Sequence, residues 1–153
     1  MTGLSDTARE KLAHVSTATL TTQLLKRGLR NQCLQGVSRL TAHDRNMVGE
    51  AFGPSAPTSL IKHHAVAELN TPIACGGVAV YPDDVLVGDA EGLVVLPAHL
   101  AEEIAEQSFE QEKMEVFLRE EIASGKPLRG TYPPDEATKA RYVEWQKKQD
   151  AEA

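Results

Sequence analysis

Three closely spaced aspartates are the first side chains in this sequence whose type and spacing could do chemistry. Asp83, Asp84 and Asp89 each follow a short apolar run, where carboxylates can hold a divalent metal or complete the hydrogen bonds of tight turns. Pro82 precedes two of them and Gly92 follows the third, at positions that β-turns favour. We therefore predict that these aspartates serve turns rather than a metal.

Histidines and glutamates supply the other candidates. His63 and His64 are adjacent, so their side chains diverge on a strand or a helix, and we predict a structural or surface role rather than a chelating pair. His99 is expected to cap or pack at a helix start rather than act as a base. Six glutamates crowd one predicted helix; most are expected to form a solvated face, and the alternative is that one reaches a neighbouring site in an oligomer. They are Glu102, Glu103, Glu106, Glu110, Glu112 and Glu115.

The stretch 71–99 predicts the strands that would position these residues. Tyr81–Asp84 is predicted to form a type I turn, and Asp89–Gly92 a second turn. Gly76 and Gly77 predict a bulge or a close backbone approach within the first strand. Short apolar runs bounded by turn residues predict a three-stranded antiparallel meander: Ile73–Val80, Val85–Val87 and Leu93–Leu96.

Helices are predicted on both sides of these strands. Ser5 or Asp6 can cap a helix over 5–13, and Ser16 or Thr17 a second one that ends at Gly28. A long helix is predicted over 98–124, and Asp135 can cap a final one. Residues 47–52 predict a further strand, whereas the type of element over 60–69 is left open. The overall prediction is an α/β class.

Composition limits the possible functions. The 153 residues are 41% hydrophobic and 25% charged, with a net charge of −6, which is typical of a globular protein of ordinary size. The sequence contains no basic patch that would predict contact with nucleic acid. It also contains no apolar run long enough to predict a membrane span. The two cysteines, Cys33 and Cys75, are far apart and fit reduced thiols, so we expect a cytoplasmic protein. No Ser-His-Asp motif, P-loop or dinucleotide-binding glycine motif is present.

Several segments together resemble the RraA-like family, which includes 4-hydroxy-4-methyl-2-oxoglutarate aldolases and regulators of ribonuclease E activity. The most specific part is GDAEGLVVLPAHLA at 88–101, after a strand and a Pro-Asp turn. The matching segments are 16–32, 47–52, 55–66, 71–104 and the run to 120–134.

The resemblance implies a fold and an assembly. Family members form an α/β sandwich with swivelling-domain character, and they assemble as trimeric rings or hexamers. Here this implies one RraA-like domain over 1–153, with an N-terminal part at 16–52, a C-terminal part at 54–134 and a terminal helix and tail at 135–153. The sequence passes from MVGEAF almost directly to PSAPTS, so we expect a centrally truncated version of this fold.

The resemblance also implies a reaction. In family aldolases, Mg²⁺ or Mn²⁺ is held by the Asp of an Arg-Asp dipeptide and polarises a 2-oxo acid during cleavage of a carbon–carbon bond. That dipeptide belongs to the missing segment, and Asp44-Arg45 has the reverse order, so we do not expect this chain to bind the metal. Family aldolases also place an acidic residue of the C-terminal helix near a neighbour's site. Glu112 is the first candidate for this catalytic role and Glu110 the second.

Two hypotheses follow. The first is an RraA-like protein of the aldolase/decarboxylase type, acting on small 2-oxo acids but impaired because the metal-binding segment is absent. The second is a non-catalytic, trimer-forming binding protein, like the family members that regulate a ribonuclease. The gap is consistent with a deletion or with a longer protein whose central residues are not part of this sequence.

Overall fold

The computed structural model describes residues 3–41, 43–52, 54–55 and 68–152. The chain forms two compact units, Met1–Phe109 and Glu110–Ala153. The predictions for His63, His64 and the segment 60–67 lie outside the described residues. The single domain and the truncated centre stay predictions.

Local caps explain where the helices begin and end. Ser5 and Ser16 each accept a backbone N–H three residues further on, and so does Asp135, as predicted. Gly125 follows the longest helix with φ of 94°, which an L side chain rarely adopts. A short 3₁₀ turn, Ala98–Leu100, precedes that helix. The helices are α1 (Asp6–Leu12), α2 (Thr17–Lys26), α3 (Ala101–Ala123), the interrupted turn α4 (Leu128–Thr131) and α5 (Glu136–Glu152).

All strand pairs in the described residues are antiparallel. A three-stranded sheet has the order β1-β6-β7, with Met47 opposite Gly88 and Val85 opposite Leu96; β2-β3 and β4-β5 form separate pairs. The strands are β1 (Met47–Glu50), β2 (Pro54–Ser55), β3 (Glu68–Leu69), β4 (Ile73–Cys75), β5 (Val78–Val80), β6 (Val85–Gly88) and β7 (Leu93–Leu96).

Three details of the predicted meander were wrong. The third strand beside β6 and β7 is β1, and not the run Ile73–Val80. The run Ile73–Val80 is not one strand but the β4-β5 hairpin, because Gly76 and Gly77 both have positive φ and turn the chain. The turn at Tyr81–Asp84 is not type I, since Asp83 has φ of 70° where type I requires a negative value. The mixed α/β class with antiparallel strands and a long C-terminal helix is confirmed.

Successive side chains along β6 and β7 point to opposite faces of the sheet, so the first unit has one hydrophobic layer on each face. Val85 and Val87 of β6 pack with helices α1, α2 and α3, whereas Leu86 belongs to a second cluster with the β4-β5 hairpin. Each such buried aliphatic side chain contributes about 1.5–3 kcal/mol relative to exposure to water. The fully buried side chains of the layer between the helices and the sheet include Leu12, Leu20, Leu24, Val94, Leu96 and Ile104.

The second unit has its own small core. Phe117 and Leu118 of α3 are buried against Tyr142 of α5. The ring of Phe117 lies 5.5 Å from Tyr142 and 5.9 Å from Trp145, centroid to centroid, in tilted arrangements that favour aromatic contact. No described helix in either unit is long and apolar enough to cross a bilayer.

Candidate functional site

Glu110 and Glu112, the predicted catalytic residues, lie on α3 in the second unit. The Glu110 carboxylate accepts a hydrogen bond from the Lys113 ammonium at 2.8 Å, and both side chains are about half exposed. Residues two positions apart on an α-helix are separated by about 200° around its axis, so Glu110 and Glu112 face different sides. A neighbouring subunit that meets this helix from one side would therefore contact only one of them.

Tyr142 shows which side Glu110 occupies. Burial raises the pKa of the Tyr142 hydroxyl, and the negative charge of Glu110 acts in the same direction. Gln146 donates its side-chain N–H to the Tyr142 oxygen at 2.9 Å. Glu110 lies seven residues, or about two helical turns, before Phe117, whose ring packs against Tyr142, so Glu110 is on the α5 side of α3. Glu112 lies about 200° around the helix axis from Glu110.

Two of the three turn aspartates, Asp84 and Asp89, hold backbone groups, as predicted for all three. Asp84 is buried and accepts the N–H of Tyr81 at 2.9 Å and of Ala98 at 3.0 Å, which joins the turn before β6 to the 3₁₀ segment. Asp89 accepts the N–H of Thr17 at 2.7 Å and further N–H groups within its own turn. These oxygens are engaged in fixing the chain.

Three glutamates of α3 are tied to neighbouring helices rather than only solvated. Glu102 accepts the N–H and the hydroxyl of Ser5 at 2.7 and 2.8 Å. Glu103 pairs with Arg27 at 2.6 Å, and Glu106 pairs with Lys11. Because all three are exposed, each pair contributes little free energy, but together they fix α1 and α2 beside α3.

The surroundings of Cys33 disfavour the reactive thiolate form. Burial raises the pKa of the Cys33 thiol, and the negative charge of Asp89 adds to this, so the thiol form dominates at neutral pH. Cys33 and Cys75 are free thiols. His99 is exposed in the 3₁₀ segment, and no side-chain hydrogen bond caps the start of that segment, so neither the expected packing nor the expected cap is observed.

The described residues do not fit a divalent metal. Nowhere in the described ranges do three His, Cys, Asp or Glu side chains converge as ligands. Asp84 and Asp89 of the first unit are both engaged by backbone N–H groups.

Two of the open clefts in the described part of the first unit exceed 600 Å³. One of about 660 Å³, here called the basic cleft, is lined by residues 37–41, 43 and 45–47 and by Gly88, Asp89, Gly92 and Leu93 at the turn between β6 and β7. A second, of about 960 Å³, is bordered by Arg30, His99 and other polar groups. Both volumes are in the range of small-molecule sites.

Sequence reasoning missed the residues of the basic cleft. Arg39, His43 and Arg45 all line it, although no motif in the sequence marks these side chains as a binding site. The sequence feature that could have indicated this site is a loop in which Arg39 and Arg45 lie among the apolar residues Val37, Leu40 and Met47. Such a loop has no periodicity, so the sequence alone does not show which side chains meet.

Comparison with known proteins identifies the family. Residues 5–95, more than half of the chain, match the family described as RraA-like, Aldolase/RraA. The chain belongs to the RraA-like family. The resemblance seen in the sequence is confirmed, and the match to this RraA-like chain includes the basic cleft and both turn aspartates.

Curated relatives of the RraA-like chain match parts of it. An uncharacterized protein of Methanocaldococcus jannaschii is 32% identical over 97 residues, covering 63% of this chain and 45% of that protein. A protein of Halalkalibacterium halodurans with the provisional name 4-hydroxy-4-methyl-2-oxoglutarate aldolase is 38% identical over 47 residues, covering 31% and 22%. The chain thus spans less than half the length of these relatives.

Solved structures show the same fold. An uncharacterized protein from Pseudomonas syringae pv. tomato superposes with a TM-score of 0.69 at 18% identity, covering 86% of this chain and 100% of that chain. RraAS2 of Streptomyces coelicolor, described as an unusual member of the RNase ES inhibitor RraA protein family, gives 0.61 at 19% identity, covering 77% and 98%. The RraA-like fold predicted from the sequence is confirmed.

Proposed function

We propose that this RraA-like chain is of the metal-dependent aldolase/decarboxylase type, which cleaves carbon–carbon bonds of 2-oxo acids, and that its turnover is strongly impaired. The family match over residues 5–95 supports the class. A relative that shares 47 aligned residues bears an aldolase name and supports it further.

The hydrogen bonds that the carboxylates already make within the fold support the proposal that metal-dependent turnover is impaired. Cleavage next to a 2-oxo group leaves an enolate, whose charge must be stabilised by a cation or by aimed hydrogen-bond donors. In the first unit, Asp84 and Asp89 hold backbone N–H groups, and Glu102 holds Ser5. These carboxylates are committed to the fold, so we expect no strong Mg²⁺ or Mn²⁺ binding by the described residues.

Glu112 is proposed as the acidic group that α3 presents to a neighbour's site in a homotrimer or hexamer, with Glu110 as the second choice. The place of Glu110 beside Tyr142, on the side of α3 that faces α5, favours Glu112. We expect Glu112→Gln to reduce any metal-dependent turnover above background, and Glu110→Gln to leave it unchanged. Residual activity is measured on the purified full chain.

The decisive assay measures pyruvate formed from oxaloacetate, with Mg²⁺ or Mn²⁺ and with EDTA. Because these metals decarboxylate oxaloacetate without protein, a metal-only blank is the control. The expected result is little or no excess over the blank. A large excess that EDTA abolishes would contradict the impairment and support the aldolase class. The same comparison with 4-hydroxy-4-methyl-2-oxoglutarate tests the aldolase substrate.

A non-catalytic, trimer-forming binding protein is the second candidate. Phe52 follows β1 and is 68% exposed, and Met47 at the start of β1 is 56% exposed, so apolar surface is available beside the sheet. The net charge of −6 permits contact with a basic protein surface. A stable trimer by light scattering, together with inhibition of a ribonuclease E-type enzyme, would support it. A cytoplasmic location stays a prediction.

A further inference from the structure

The basic cleft has an apolar wall that is open to solvent. Its volume is about 660 Å³, enough for a small organic molecule. Val37, Leu40, Met47 and Leu93 line it, and Leu40 is 96% exposed. Covering such side chains with an apolar ligand removes them from water, which favours binding.

Two guanidinium groups accompany this apolar wall. Arg39 donates from Nη2 to the backbone carbonyl oxygens of His43 at 2.6 Å and Arg45 at 3.4 Å, which fixes its position in the loop. A guanidinium has five N–H groups, so these two bonds leave donors for a ligand. Arg45 donates to Glu10 at 2.5 Å, and because both partners are more than half exposed, this ion pair is weak enough for a ligand to compete.

Asp89, the acidic group among the described lining residues, offsets little of this positive charge. Its carboxylate accepts backbone N–H groups from Glu91, Gly92 and Thr17. Thr17 opens α2, and the N-terminus of a helix stabilises a negative charge. The charge of Asp89 is therefore compensated within the fold. Arg39, together with Arg45 once a ligand displaces Glu10 from it, gives the cleft a preference for anionic ligands.

We infer that the basic cleft binds a small amphipathic carboxylate. The apolar part of the ligand lies against Leu40, Met47 and Leu93, and its carboxylate accepts N–H groups from Arg39 and Arg45. The forked guanidinium suits a planar carboxylate because both oxygens can be engaged together. This inference does not depend on the proposed carbon–carbon cleavage.

Octanoate is a suitable probe, titrated into the purified full chain and followed by nitrogen–proton NMR correlation spectra. We expect saturable shifts at Leu40, Met47 and Leu93, with a Kd of about 1 mM or tighter for a ligand of this size. Shifts confined to the second cleft around Arg30 and His99, or no saturable shifts up to about 10 mM, would overturn the inference.

Ligands of matched chain length test the charge without changing the protein. Octan-1-ol keeps the apolar part and loses the carboxylate, and octylammonium reverses the charge. The expected result is about tenfold weaker binding of the alcohol and no binding of the cation at the cleft. Equal binding of octanoate and octan-1-ol would show that the guanidinium groups have no part in recognition, and it would overturn the proposal.

Matched variants test the two cations. Arg39→Gln and Arg45→Gln are each expected to weaken octanoate binding about three- to tenfold and to leave octan-1-ol binding unchanged. Arg30→Gln is the control, since Arg30 is an exposed arginine outside the basic cleft. Unchanged octanoate affinity in both cleft variants would overturn the inference. Because octan-1-ol binding also reports an intact cleft, a misfolded variant is recognised by the loss of both ligands.

Discussion

The carboxylate of Asp89 accepts the backbone N–H of Thr17 at 2.7 Å, so a side chain in the β6-β7 turn caps the first residue of α2. Ser16 satisfies a second N–H group of the same helix end through its own side chain. Burial opposes the ionisation of Asp89, but the N–H groups of Thr17, Glu91 and Gly92 outweigh it, and its pKa lies below the usual range. The charged carboxylate of Asp89 thus links the β6-β7 turn of the sheet to the N-terminus of α2.

The first prediction concerns Asp89→Asn. Because the lowered pKa belongs to the folded state, the charged carboxylate stabilises the fold above the unfolded-state pKa of about 3.9, and this contribution is lost as pH falls through the folded-state pKa. We expect the variant to lose about 1–2 kcal/mol at neutral pH, with the difference from the parent shrinking below about pH 4.

Urea unfolding at a series of pH values measures this difference. Asp83→Asn is the matched control, since Asp83 has φ of 70°, a conformation that Asn also adopts readily. A deficit of Asp89→Asn that stays constant down to about pH 2.5 would show that the charge of the cap has no role.

The second prediction compares two adjacent glycines. An added Cβ at Gly76 would lie 2.8 Å from the backbone N of Gln35, whereas one at Gly77 would have no heavy atom within 4 Å. Both have positive φ, so both alanine variants are strained by about 1 kcal/mol, and Gly76→Ala has the added backbone clash. In thermal unfolding, the Tm of Gly76→Ala should be well below the Tm of Gly77→Ala. Equal losses would mean that Gln35 moves away freely.

These glycines also show what sequence can predict. A close backbone approach was one of two expectations for the pair and is confirmed, whereas the bulge was wrong. The apolar pattern of 73–80 continues across a two-residue turn, so periodicity does not distinguish one strand from a hairpin. The caps at Ser5, Ser16 and Asp135 were predictable because they depend on neighbours in sequence.

Long-range pairing and the basic cleft were beyond prediction for a different reason. The β1 strand pairs with β6, from Met47 opposite Gly88, and no local sequence pattern predicts which strand pairs with β1. Arg39 and Arg45 lie in a loop whose path is set by this pairing and by hydrogen bonds to carbonyl oxygens. The ligand-binding potential of the loop thus depends on contacts that only the folded chain provides.

The third prediction concerns Ser108, which is fully buried in α3. Its hydroxyl oxygen has no hydrogen-bond partner among the described residues. A buried polar group without a partner costs free energy, and Ala is the better helix former. We expect Ser108→Ala to raise stability by up to about 1 kcal/mol in urea unfolding. Ser124→Ala is the comparison, since the Ser124 hydroxyl donates to the Glu121 carbonyl oxygen at 2.7 Å. A clear loss of stability in Ser108→Ala would reveal a partner for this hydroxyl.

The fourth prediction decides which glutamate of α3 faces α5. Burial is the main reason that the pKa of Tyr142 is raised, and the negative charge of Glu110 is the second. Glu110→Gln removes that charge, so the pKa of Tyr142 should fall toward its ordinary value while staying above it because the ring remains buried.

Glu112→Gln is the matched control for this titration. Glu112 lies about 200° around the helix from Glu110, so its charge should affect the Tyr142 hydroxyl much less. NMR titration of the tyrosine ring signals separates Tyr142 from Tyr81 and Tyr132, which are both exposed. A fall in the Tyr142 pKa with Glu112→Gln but not with Glu110→Gln would reverse the assignment of faces. Glu110 would then become the better candidate for a carboxylate presented to a neighbouring subunit.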